Sequence, residues 1–214
     1  MVLLRTLRSP VSSKLLYRIR SDKTKFVFAA AQKRFNSNVS TIEDGDPIHR
    51  VDLRVGKIAE VSMHPDAEHL YIEKVDVNME PTETMPNPRT IVSGLAPYMP
   101  IESLQNKSVI VVCNMKPSRF RGVLSQGMLL AASKDGKVEL LEPPPSSVVG
   151  ERVRIGMEDL KEPDAVLKPK QRVFETVAMH LSTDAQGIAT YRGHPLTTSA
   201  GSVKAASLTE APIS

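Results

Sequence analysis

Three cations, Lys116, Arg119 and Arg121, fall within six residues of one another, on a stretch that also carries Pro117, Ser118, Gly122, Ser125 and Gly127. Charged N–H donors at this density, on a backbone that turns easily, suit phosphate oxygens. Pro117 cannot donate to a sheet ladder, and Gly122 and Gly127 permit turns or a close approach by a ligand, so Lys116, Arg119, Arg121 and Ser125 are expected on an exposed loop. No carboxylate lies between Glu102 and Asp135, where Lys107, Lys116, Arg119, Arg121 and Lys134 give a local charge of +5. Such a window is a footprint for a polyanion. Taken alone, these residues leave a second reading open, a solvated hairpin whose charges only keep it soluble.

Bond-breaking chemistry has no comparable set. The five histidines are scattered, and His64 and His69 stand five apart rather than at the three- or four-residue spacing that puts two metal ligands on one helix face. Gly122-Val123-Leu124-Ser125-Gln126-Gly127 is not a nucleophile elbow, because its first glycine comes one residue too early. No phosphate-cradling glycine loop opens a helix. The single cysteine, Cys113, excludes an internal disulfide framework and ends an apolar run, where a packed thiol is expected. The reading is therefore a protein with no catalytic residues, no metal and no cofactor.

The elements that must position the basic stretch are two apolar runs. Val109 to Cys113 leads into it and Met128 to Ala132 leads out, so two buried strands bracket the loop. Upstream, Val51, Leu53 and Val55 alternate with Asp52 and Arg54, a half-buried strand with Arg54 facing out and a bend or bulge at Gly56. The His64-Pro65-Asp66 turn precedes an alternating strand from Tyr71 to Val77. Arg89 to Val92 forms a short strand, and Pro100 to Leu104 a helical turn. Downstream, Asp135-Gly136 makes a tight turn into a strand from Lys137 to Leu141, and Arg152 to Ile155 completes the set after the stiff run Glu142 to Ser147. Short strands without alternating helices predict an all-β fold, a small antiparallel five-stranded barrel over residues 47–156. In Val109 to Cys113 alternate residues face away from the barrel interior, so Ile110 and Val112 need a cover. Residues 157–214 are expected to supply it, with a short apolar element at Val173 to Val177 and strands at Gly187 to Tyr191 and Val203 to Ala206.

The ends of the chain carry a different signal. Residues 1–35 hold nine Lys or Arg against one acid, a net charge of +8, while the remainder carries 19 bases and 23 acids, a net −4. An Arg-, Lys- and Ser-rich, acid-poor start with Leu3, Leu7, Val11, Leu15 and Ile19 on one helical stripe reads as a mitochondrial targeting segment, and Arg34-Phe35-Asn36-Ser37 resembles a matrix processing site. The other reading is a disordered basic RNA-binding arm. Residues 36–46 read as a flexible lead-in. No apolar run approaches the roughly 18 residues that span a bilayer, so no membrane anchor is expected. Aromatic content of 4%, with no tryptophan, argues against a sequence-tolerant single-strand binder, which needs stacking platforms.

Four blocks in order carry a resemblance. Val51-Asp52-Leu53-Arg54-Val55-Gly56-Lys57-Ile58, then His64-Pro65-Asp66-Ala67 with Leu70-Tyr71, then Val92-Ser93-Gly94-Leu95, then Asn114, Lys116-Pro117, Arg119 to Gly122 and Ser125-Gln126-Gly127-Met128 resemble the tRNA-binding domain of aminoacyl-tRNA synthetase cofactors and of endothelial monocyte-activating polypeptide II type proteins. The resemblance runs from about residue 47 to the C-terminus. It implies a five-stranded oligonucleotide-binding (OB) Greek-key barrel. Through the Tyr191-Arg192-Gly193 block it also implies a C-terminal extension that imitates the dimer interface of smaller relatives and leaves the protein monomeric.

The function expected is non-catalytic tRNA binding that assists aminoacylation in the mitochondrial matrix, with an aminoacyl-tRNA synthetase as a possible partner. Lys116, Arg119 and Arg121 would pair with phosphates, Asn114, Ser125 and Gln126 would hydrogen-bond to backbone or splayed bases, and Met128 would shape the floor of the groove. Arg54 and Lys57 stand as further candidates on an adjoining strand face. The rival function is a scaffold that docks onto a synthetase and touches RNA only incidentally.

Overall fold

The computed structural model describes residues 41–83, 85–156 and 161–214, all within one compact unit. The targeting segment with its Arg34-Phe35 processing site, and the first residues of the lead-in, lie outside the described residues. In the described part of the lead-in, residues 41–46, Ile42 and Asp46 are buried and the other four are exposed. Ile42 is only 7% exposed, and the Asp46 carboxylate caps a 3-10 turn over Pro47–Arg50 by accepting from Ile48 N at 3.0 Å.

Nearly all regular structure is antiparallel β. Strands β1 (Leu53–His64), β2 (Ala67–Asp76), β3 (Arg89–Ser93) and β4 (Ser108–Val112) are followed by a small hairpin, β5 (Ser118–Phe120) and β6 (Val123–Ser125), and then by β7 (Met128–Leu129). The main sheet has the order β3-β2-β1-β4-β7. A second hairpin pairs β8 (Ala131–Lys134) with β9 (Lys137–Leu140) across Asp135 and Gly136, whose φ values of 51° and 78° are those of a type I′ turn. The remaining strands, β10 (Arg154–Ile155), β11 (Leu181–Thr183), β12 (Ala189–Tyr191), β13 (His194–Thr198) and β14 (Gly201–Ser202), form a second sheet ordered β10-β13-β12-β11 with β14 on β13. The one described α-helix, α1 (Val173–Ala178), has six residues. Among the described residues no helix is long and apolar enough to cross a membrane.

The hydrogen-bonded path is an open sheet, not the closed five-stranded ring expected. The segment expected to complete it divides: Arg152 bridges Arg54 of β1 and Val153 N donates to Leu53 O at 2.8 Å, while Arg154 and Ile155 pair with Thr197 and Leu196 of β13. Beyond β3 the edge is met by the residues between β6 and β7. Gln126 N donates to Thr90 O at 2.8 Å, and Val92 N donates to Ser125 Oγ at 3.0 Å.

Gly56 also has a different job from the one expected. β1 runs straight through it, and the register shifts lie further on, between Ile58 and Glu60 and between Met63 and His64. A side chain at position 56 would bring its Cβ to 2.7 Å from Val111 Cγ2 and 2.9 Å from Val75 Cγ1. Glycine is there because the neighbouring strands' side chains close over it.

Strand β4 explains where the core sits. Its continuous apolar run is buried on both faces. Val109, Val111 and Cys113 join Ile58, Tyr71, Val75, Ile91 and Leu129 in one apolar cluster. Ile110 and Val112 join a second, with Leu53 and Leu130 and with Leu167, Val177, Leu196 and Ile213 of the C-terminal region. Those last residues are the cover that the alternation of β4 demands.

The run Met128 to Ala132 is split at Leu130, where the strand changes partner. Leu130 N donates to Ile110 O and its carbonyl accepts from Leu141 N.

Candidate nucleic-acid interface

The basic stretch leaves β4 at Cys113 and returns at Gln126, and both ends are held by one buried cation. Arg89, the first residue of β3, donates from Nη1 to the carbonyl of Cys113 and, at 3.4 Å, to that of Gln126, while Nη2 reaches Met79 Sδ at 3.3 Å. A guanidinium has the planar fork to bridge two carbonyls in this way. Sequence reading saw Arg89 only as the start of a strand. The available signal was a charge opening an otherwise apolar run, Arg89-Thr90-Ile91-Val92.

Asn114, Ser125 and Gln126 are buried and turned inward. Asn114 Oδ1 accepts from Asp52 N at 3.0 Å, and its Nδ2 donates to Arg50 O at 2.9 Å and Asp164 O at 2.8 Å. It thereby joins the end of β4 to the chain before β1 and to the C-terminal region. Besides accepting from Val92, Ser125 Oγ lies 3.2 Å from Gly127 O. Gln126 Oε1 accepts from Thr90 N at 3.3 Å. These side chains hold the loop's root in place, and their polar atoms face protein.

The cations divide as well. Lys116, Arg119 and Arg121 are exposed, with Arg119 giving Nη1 to Gly122 O at 2.8 Å. Lys107 is paired with Glu142 at 2.5 Å, and Lys134 donates to Thr209 O at 3.0 Å, so the two outer members of the +5 window are held elsewhere. Arg54 lies 3.0 Å from both oxygens of the buried Asp52 carboxylate and gives Nη1 to Gly150 O at 3.1 Å. Lys57 is exposed on β1. Met128 is half-buried and packs against the cluster containing Ile110 and Val112.

Arg119 and Arg121 sit on the β5–β6 hairpin and Lys116 two residues before it; the hairpin's pairs are Ser118–Ser125, Arg119–Leu124 and Phe120–Val123. Arg121 and Gly122 form its two-residue turn, with φ of 46° and 91°. Positive φ at both places is the type I′ geometry whose twist matches the flanking strands. The tip is pinned to the main sheet by His64, which sequence reading placed only in a turn. Its Nδ1 accepts from Asp66 N at 3.1 Å, which assigns the proton to Nε2, and Nε2 then donates to Phe120 O at 3.2 Å. The ring is buried while the hairpin tip it holds is exposed. Phe120 itself stands 45% exposed between the two arginines.

No nucleophile accompanies this arrangement. Cys113 is enclosed at the root of the loop, and burial pushes its thiol up to about 12. The hairpin and the residues leading into it present three exposed cations, a set suited to binding an anionic chain.

Comparison with known proteins agrees with that chemistry. Residues 53–152 match the family model described as a putative tRNA binding domain. The chain is 42% identical over 176 residues to mouse aminoacyl tRNA synthase complex-interacting multifunctional protein 1, covering 81% of this chain and 54% of that protein. It is 47% identical over 167 residues to cytoplasmic methionine–tRNA ligase of Arabidopsis thaliana, covering 77% and 20%. With cytoplasmic tyrosine–tRNA ligase of Gallus gallus it shares 45% over 169 residues, covering 77% and 31%. The chain thus spans about half, or less, of the length of these relatives. Among solved structures, the C-terminal domain of Plasmodium vivax p43 superposes with a TM-score of 0.72 at 35% identity, over 78% of this chain and 98% of that one. With its signature blocks, its antiparallel architecture and a full-length match to that solved domain, the chain belongs to the tRNA-binding domain family.

Proposed function

We propose that this protein binds structured tRNA without catalysing a reaction, through the β5–β6 hairpin, and assists aminoacylation in mitochondria. The observation that carries the reading is the clamped projection of Lys116, Arg119 and Arg121 inside the region that matches the tRNA-binding family. Phosphate contacts from such a group fix the register of an RNA without reading its sequence. The same segment forms a minor part of ligases for methionine and for tyrosine, which supports a role not tied to one amino acid. The printed name of the mouse relative, with its synthase complex, supports a synthetase as partner.

Three finer readings accompany this one. The bonds from Thr90 and Val92 to Ser125 and Gln126 support a five-stranded OB barrel closed through side chains rather than a ladder. The cover over Ile110 and Val112 supports a monomer whose C-terminal region stands where a second subunit would. The +8 N-terminal composition supports import into the matrix.

Filter binding of the full chain to a tRNA transcript over a salt series tests the central claim. Saturable binding that weakens linearly in log salt is expected. Absence of binding at low salt refutes it. Intact-mass measurement of the organellar protein tests import, with loss of about the first 35 residues expected from a matrix processing step.

A further inference from the structure

The sequence assigned contacts with the RNA backbone or splayed bases to Asn114, Ser125 and Gln126, yet all three are buried and bond to the protein. Something else on the hairpin must meet a base if any residue does. Of the described Phe and Tyr side chains, Tyr71, Phe174 and Tyr191 are buried; Tyr98 and Phe120 are exposed, and of these two Phe120 stands on the basic hairpin. The Phe120 ring, 45% exposed and flanked in sequence by two arginines, offers a ligand a π face beside positive charge. Its backbone is fixed on two sides, by pairing with Val123 and by the bond from His64 Nε2 to Phe120 O. Strand alternation puts Arg119 on the hairpin face opposite Phe120, and Arg121 opens the turn that follows Phe120. A polyanion crossing the tip therefore meets cations on one side and a bare aromatic surface on the other.

We infer that Phe120 is a stacking platform for one unpaired base of the bound RNA, so that the hairpin selects RNA with an unstacked nucleotide beside a phosphate run over fully paired RNA. This rests on the proposed tRNA-binding role of the same hairpin. Every base has a π face, so the contact favours unpaired structure and not a particular sequence. A single platform also fits the low aromatic content, which suits a structured RNA with one splayed base better than a long single strand. Pre-ordering of the tip lowers the entropy lost when the base docks.

The test uses the full-length protein and two stem-loop RNAs of the same length, one with 2-aminopurine at an unpaired position and one with it paired in the stem. Wild-type protein is expected to bind the unpaired RNA more tightly and to quench its fluorescence. Phe120→Leu keeps the apolar bulk and removes the π face. It should weaken binding to the unpaired RNA roughly five- to a hundredfold, the range set by one lost stacking contact, with an unchanged salt slope and unchanged affinity for the paired RNA. Phe120→Trp should restore both affinity and quenching. If Phe120→Leu binds both RNAs as wild type does, or weakens both equally, the inference is overturned while the tRNA-binding reading stands. If wild-type protein binds neither RNA, both fall.

Discussion

At the scale of single residues, the loop separates cations that meet solvent from polar groups that hold the fold, and the two classes respond differently to mutation. Each lysine or arginine that neutralises a phosphate on a flexible strand contributes about 0.7 to the slope of log affinity against log salt. Arg119→Ala combined with Arg121→Ala should therefore flatten the slope by about 1.4 and weaken binding to all tRNAs alike, as read by filter binding. Ser125→Ala strips a buried partner from Val92 N. It should cost about 1–3 kcal/mol of folding stability and leave the salt slope intact, which a denaturant melt resolves. Glu73 gives a pH signature. Its side chain is 0% exposed, one oxygen accepts from Ser93 Oγ and Oε2 has no partner, and burial raises the carboxyl from its ordinary 4.5 to about 7. The folded state thus holds this proton more tightly than the unfolded chain does. The contribution of Glu73 to stability is greatest below about pH 4.5, declines as pH rises through the interval and levels off above about 7, a loss of roughly 3 kcal/mol from this group. Glu73→Gln should remove that decline, so the difference between variant and wild type in urea melts should grow from pH 5 to pH 8.

At the scale of elements, what was legible in the sequence is what local pattern dictates. Alternation marked β1 and β2, a short run from Arg89 to Val92 marked β3, the Asp135-Gly136 pair marked the β8–β9 turn, and the double-sided apolar run of β4 announced that Ile110 and Val112 needed a cover. The hairpin inside the basic stretch was less visible, because Ser118-Arg119-Phe120 has no apolar alternation and only Arg121-Gly122 hints at a type I′ turn. Residue types named the loop as basic, but burial reversed the roles of its neutral polar members. Asn114, Ser125 and Gln126 look like base readers in a linear string, and only tertiary contacts with Arg50, Val92 and Thr90 show them facing inward. Arg89 and His64 were missed for the same reason, since their partners lie 24 and 56 residues away. The hairpin should behave as a unit held from both ends. His64→Ala frees its tip, so amide exchange at Val123 should accelerate and tRNA affinity should fall, while the salt slope stays near wild type because no phosphate contact is removed. Unchanged exchange at Val123 would show that the tip is rigid without the histidine.

At the scale of the whole molecule, the β8–β9 hairpin and the second sheet are joined by one short stretch, Ala211 to Ser214. Ala131 and Ser214 exchange N–H to carbonyl bonds at 2.9 and 3.0 Å, and Ser133 N donates to Pro212 O at 3.0 Å, so the stretch lies along β8. On its other side Thr183 N donates to Ala211 O at 2.9 Å and Ile213 N to Leu181 O at 3.2 Å, which ties it to β11. Ile213 is buried in the same apolar cluster as Ile110, Val112 and Leu130. Deleting residues 211–214 removes that side chain, worth about 1.5–3 kcal/mol of burial, and strips backbone partners from two strand edges at once. An unpaired edge beside newly exposed apolar surface is a template for a second chain. The shortened protein should melt earlier than wild type and should self-associate in a concentration-dependent way by light scattering. Ile213→Asp in the full chain separates the two effects, because it exposes the cluster while the backbone bonds to β8 and β11 remain available. If the hydrophobic cover is what opposes self-association, this variant should associate as the deletion does, and an Ile213→Asp protein no more associated than wild type would assign the effect to the open strand edges instead.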